Sequence, residues 1–208
     1  MPVTSDAKSY LKAVVVSLSG LAVAALGIAV VGFVGDYFKA NPYYATIALS
    51  GSLGIDFFGA VASVAVGLIC AALLFGLMRF SLKKFGAAFA VSVVFAFMFC
   101  RLTDEGLIGY PLLYAAATGV VAVAVTFFPK FSEVSTKNFS ASILLALCCV
   151  PLSLLVVDLF YATRVPVAIV GGNGLSDGIL VSTLYSPWAI TAVFCAFSHV
   201  SQTFLLIK

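Results

Sequence analysis

Ala141-Ser142-Ile143-Leu144-Leu145-Ala146-Leu147-Cys148-Cys149-Val150-Pro151-Leu152-Ser153-Leu154-Leu155-Val156-Val157-Asp158-Leu159-Phe160-Tyr161 is an apolar run whose sole charge is Asp158. A bilayer core of about 30 Å needs about 20 helical residues, because lipid offers no other partner for backbone amides. This run has that length, and five more segments qualify beside it. The six predicted spans cover residues 13–34, 57–78, 85–101, 111–128, 141–161 and 177–198. The expected fold class is therefore an all-α membrane protein, one polytopic domain over residues 1–208.

Composition points the same way. Hydrophobic residues make up 63% of the 208 positions and charged residues only 9%, where a soluble domain carries roughly a quarter. So short a chain cannot bury that much apolar side chain in a water-excluded core. The run from Val14 to Val34 exceeds a signal-peptide core and reads as a retained helix. A net charge of +3 on scattered residues forms no basic patch, which excludes nucleic acid as a partner. Cys70, Cys100, Cys148, Cys149 and Cys195 sit in or beside apolar runs as small packing residues. With His199 the one histidine, no metal site, cofactor or catalytic set is expected.

Orientation follows from the basic residues. With the N-terminus inside, Lys8, Lys12, Arg79, Lys83, Lys84, Lys130, Lys137 and Lys208 fall on the cytoplasmic side. Lys39, Arg101 and Arg164 fall outside, and an even number of spans puts both termini in the cytoplasm. Asp36, Asp56, Asp104, Glu105, Asp158 and Asp177 all lie outside or in the outer half, whereas Asp6 and Glu133 lie inside. On that map Asn138-Phe139-Ser140 faces the cytoplasm, which discounts it as a glycosylation site.

Two connections, 43–55 and 165–175, are apolar but too short to span. That length fits re-entrant or interfacial segments, or extensions of the next helix. They also resemble one another. Asp36-Tyr37-Phe38-Lys39-Ala40 precedes Pro42, Gly51 and Asp56, while Asp158-Leu159-Phe160-Tyr161-Ala162 precedes Pro166, Gly172 and Asp177. Internal repeats of this kind build many transporters, although turn chemistry alone can produce the same pattern.

An ionisable residue inside a span needs a wet or paired environment, since its charge costs about 2.5–3.5 kcal/mol at mid-bilayer. Asp56 and Asp177 open predicted helices, Asp158 nears the end of one, and Arg101 and Arg164 sit at helix ends. In one bundle these five converge on an outward-facing vestibule. Two readings stand for the acids: a binding site, or caps favoured by the helix dipole. The arginines equally suit snorkelling to headgroups. Asp158 opposes the dipole at a helix C-terminus, and Arg164 is its nearest candidate partner. Gly171-Gly172-Asn173-Gly174 permits close backbone approach, either to cradle an anion or carbonyl-bearing solute or to make a tight packed turn. Pro187 is expected to kink the last span, with Trp188 as packing beside it.

The stretch Val165-Pro166-Val167-Ala168-Ile169-Val170-Gly171-Gly172-Asn173-Gly174-Leu175-Ser176-Asp177-Gly178-Ile179 resembles the C-terminal signature of an uncharacterised prokaryotic membrane family, close to A-P-V-A-S-I-G-G-A-G-T-F-D-G-I. It departs from that pattern at Asn173, Leu175 and Ser176. The resemblance implies a prokaryotic inner-membrane protein and brings no activity. Gly174-Leu175-Ser176-Asp177 also looks like a degraded G-x-G-D motif of presenilin-like and prepilin peptidases, with Asp158 as second acid. Ser176 replaces the second glycine, and the proline-alanine-leucine motif is absent.

The leading expectation is a small transporter or channel-like protein whose outer acids bind a cation, proton or polar solute. The alternatives are an accessory subunit of a larger membrane complex or oligomer, and an intramembrane aspartyl protease.

Overall fold

A computed structural model describes residues 46–103, 106–128, 136–166, 168–171 and 177–206. The expected first span, 13–34, and the start of the suspected repeat, Asp36 to Pro42, lie outside the described residues. Among the described residues five helices dominate: α1 (Ser63–Gly76), α2 (Leu82–Phe99), α3 (Pro111–Phe127), α4 (Thr136–Ala162) and α5 (Gly178–Leu206). A π-helical segment, Phe57–Ala62, leads into α1. Gly59–Gly76, Leu82–Phe99 and Lys137–Ala162 are long and apolar enough to cross a membrane, while Pro111–Phe127 and Gly178–Phe194 are shorter apolar stretches.

Helix α4 is the hub. It packs against each of the other four helices, which explains why the quoted run is apolar on every side. Leu145, Ala146, Cys148, Val150 and Val157 on it are fully buried. Pro151 interrupts its hydrogen-bond ladder, and α1 crosses there. A Cβ on Gly67 would lie 2.9 Å from the Pro151 ring, so glycine sets the close approach. Pro187 falls inside α5, which continues through it. The Thr183 carbonyl that Pro187 cannot reach accepts from Ser186 Oγ at 2.8 Å.

The outward surface is oily. Leu68, Ile69, Leu77, Leu82, Val94, Met98, Leu112, Val120 and Phe128 are all more than half exposed, an arrangement that suits lipid as solvent. Buried hydroxyls instead turn back on their own helices: Ser92 donates to Ala88 O at 2.8 Å, Ser142 to Asn138 O at 2.9 Å and Thr183 to Ile179 O at 2.6 Å.

The fold is not all-α. Strands β1 (Thr46–Ala48) and β2 (Leu53–Asp56) form an antiparallel hairpin, and β5 (Ala168–Val170) joins β2 in parallel. A separate hairpin pairs β3 (Cys100–Thr103) with β4 (Gly106–Gly109). The two short apolar connections, expected as re-entrant or interfacial segments, thus supply strands that pair with each other. Leu53 sits opposite Ala168 and Ile55 opposite Val170. Pairing satisfies backbone groups that isolated three-residue segments would leave open.

A buried hydroxyl pair ties α3 to α4. Tyr114, 1% exposed, shares a hydrogen bond with Ser153 Oγ, which also donates to Cys149 and Val150 carbonyls. Tyr114→Phe is expected to cost about 0.6 kcal/mol, and at most about 1.7, the range for interhelical hydrogen bonds in membranes. Thermal unfolding in detergent measures it.

Candidate functional site: an acid cluster at the strand end of the bundle

Each acid arrives on a different element. Asp56 closes β2 in extended conformation and caps the π segment, its Oδ1 accepting from Gly59 N–H at 2.7 Å. Asp177 plays the same part for α5, where Oδ1 accepts from Ile179 N–H at 2.8 Å. Both are buried, at 4% and 7% exposure. The two aspartates that end the suspected repeat therefore do the same local job, each capping the helix that follows one of two parallel strands.

Two glycines bring the helix starts together. A Cβ on Gly59 would sit 2.3 Å from Gly171 O and 2.9 Å from Asp177 Cβ. A Cβ on Gly171 would sit 2.6 Å from Ala60 N. Gly171 also has φ +70°, a left-handed conformation that suits glycine. Its N–H donates to Asp158 Oδ2 at 3.3 Å, so the end of α4 is hooked to the same point. Cys100, buried at the start of β3, lies within electrostatic range of Asp158 and Asp177, and these two lie within such range of each other. Asp56, Asp158, Asp177 and Gly171 are thus gathered around one glycine contact.

The arginines are not part of it. Arg164, expected as the partner of Asp158, is exposed and lies over the Phe160 ring, with Cζ 4.3 Å from the centroid. Arg101 is exposed on the β3–β4 hairpin. Among the described residues neither makes an ion pair with an acid, because a backbone amide already serves Asp158. Phe97, Phe160 and Tyr161 pack edge-on and tilted beside Arg164, the composition of an interfacial belt. Gly172, Asn173 and Gly174 lie outside the described residues.

Three contributors escaped the sequence reading. Cys100 passed as packing, although an acid-facing position is a tertiary fact. Gly59 had a signal in the spacing Asp56-Phe57-Phe58-Gly59, where a capping acid meets a residue with no side chain to block approach. Ser63 follows one turn later, and its Oγ is fully buried with no hydrogen-bond partner among the described residues. A buried hydroxyl in that state costs about 1–3 kcal/mol unless something satisfies it.

Chemically, Asp56 and Asp177 each spend one carboxylate oxygen on a helix N-terminus, and Asp158 spends one on Gly171. A carboxylate has acceptor capacity beyond one hydrogen bond, so Asp56 and Asp158 can also serve a cation or a proton. Among the described residues no group of His, Cys, Asp and Glu has the form of a metal site. Comparison with protein-family models, curated proteins and solved structures finds no match, so the site is read from its own geometry.

Proposed function

We propose that this chain is a small multi-pass transporter or channel-like protein of six spans, with both termini cytoplasmic and a carboxyl site at its outer end. The observation that carries the reading is the convergence of Asp56, Asp158 and Asp177 on the Gly59–Gly171 contact. Three acids from elements far apart in sequence are expensive to gather unless a cation or protons use them. The apolar outer surface and the basic residues at the opposite helix ends support the orientation. Helices α3 and the apolar part of α5 are short, yet 17 residues rise about 26 Å, close to a hydrocarbon core. A prokaryotic inner membrane is the location that the Val165–Ile179 resemblance implies.

The test is uptake into proteoliposomes under an imposed proton or sodium gradient, read with pH- and cation-sensitive dyes. Wild type is expected to pass current or protons, and Asp158→Asn with Asp177→Asn to reduce the flux at least tenfold. Equal flux in the double variant would remove the acid site from any transport role.

The approach of Asp158 and Asp177 to the same Gly59–Gly171 contact favours a second reading, an intramembrane aspartyl protease. Such an enzyme needs one acid and one base side by side. It predicts that either aspartate-to-asparagine change alone abolishes cleavage of a transmembrane peptide, whereas a transporter with three acids loses activity in steps.

A further inference from the structure

At the end of the bundle opposite the acids, α2 and α3 part to leave a groove of about 410 Å³ lined by Lys83, Lys84, Ala87, Ala124, Val125 and Phe128. Its volume falls in the range of small-molecule sites, roughly 300–1,000 Å³. The two alanines make the space, since larger side chains there would close it. Lys84 Nζ donates to Phe128 O at 2.8 Å, which pins the ammonium at the groove's mouth and leaves its two other N–H donors to point elsewhere. Lys83 is exposed beside it. Neither lysine serves helix stability, because a positive charge in the first turn opposes the macrodipole. No acid lies on α2 or α3 to neutralise them. Leu82, next to Lys83 in α2, and Phe128 in the groove lining are exposed apolar side chains, at 72% and 63%.

We infer that this groove is a binding site for an anionic phospholipid, its phosphate on Lys83 and Lys84 and the upper part of one acyl chain along Ala87, Ala124, Val125 and Phe128. Charge complementarity with an apolar floor selects this occupant. A free anion would find no use for the floor, and a zwitterionic lipid would gain little from two lysines. Basic pockets between transmembrane helices on the cytoplasmic side hold lipid headgroups in this way. The inference rests on the membrane reading but not on the acid cluster.

The experiment is native mass spectrometry of the full chain released from zwitterionic micelles, titrated with equal amounts of phosphatidylglycerol and phosphatidylcholine carrying the same acyl chains. Each lysine near a charged headgroup contributes enough that a preference of about tenfold for phosphatidylglycerol is expected. Lys83→Gln with Lys84→Gln should bring the two lipids to parity, and Lys83→Arg with Lys84→Arg should keep the preference, which guards against a folding artefact. Ala87→Phe fills the groove without touching charge and should lower phosphatidylglycerol binding several-fold. Wild-type parity between the lipids would overturn the inference. So would an Ala87→Phe variant that binds as wild type, since the lysines would then act as surface charge alone. If neither lipid binds the wild type, the inference is overturned together with the membrane reading on which it rests.

Discussion

Gly171→Ala is expected to destabilise the protein by about 2–5 kcal/mol. Two costs add. A non-glycine residue held left-handed costs about 1–2 kcal/mol, and forcing a methyl into a filled space typically costs 1–3 kcal/mol. The atom in the way is Ala60 N at 2.6 Å, a backbone atom that cannot rotate aside. Gly59→Ala meets the Gly171 carbonyl at 2.3 Å and carries only the packing cost, so its loss should fall toward about 3 kcal/mol. Gly59→Ala would also press on Asp177 Cβ at 2.9 Å, and a change in transport should accompany its change in stability. Gly86→Ala is the control. Nothing lies within 4 Å of its added methyl, and it sits inside α2, where alanine gains about 0.5–1 kcal/mol over glycine. Thermal unfolding followed by Trp188 fluorescence would rank the three. A Gly171→Ala protein as stable as wild type would mean that the glycine contact does not hold the site together.

The second large effect separates capping from chemistry. Asp56→Ala removes the acceptor of the buried Gly59 N–H, and Asp177→Ala that of Ile179 N–H. Each loses a cap and so strands a buried donor, at a cost of about 1–3 kcal/mol. Asparagine caps about as well as aspartate. Asp56→Asn and Asp177→Asn should therefore unfold within about 0.5 kcal/mol of wild type while losing the negative charge. If these asparagine variants keep their stability and lose flux, the carboxylates act on a transported species. Should they keep both, the acids are caps and the transport proposal fails. Stability measured in the same detergent as the uptake sample makes the comparison direct.

How far the sequence reached is clearest along single segments. The span read at 111–128 falls on α3, Pro111–Phe127, a 17-residue apolar helix whose first position suits proline. The spans at 57–78, 85–101, 141–161 and 177–198 each fall on helix too, with ends displaced by a few residues or more. Six spans as a topology remains the proposal above, since residues 13–34 lie outside the described part. The strands were not legible. Three- and four-residue segments show no alternation long enough to read, and β2 meets β5 across more than a hundred positions of sequence. Their pairing follows from where the helices carry them.

The acids divide in the same way. That Asp56 and Asp177 open helices, and that Asp158 needs a partner near a helix C-terminus, was determined by the sequence alone through the helix dipole and the cost of a charge in lipid. The partner's identity was not. Arg164 is nearest along the chain, yet the Gly171 amide reaches Asp158 because β5 lies beside β2 and Gly59 has no side chain to keep Gly171 away. Local forces act over one turn and can be read from neighbours. Convergence of three acids depends on strand register and a glycine contact between remote segments, and only the tertiary structure decides those.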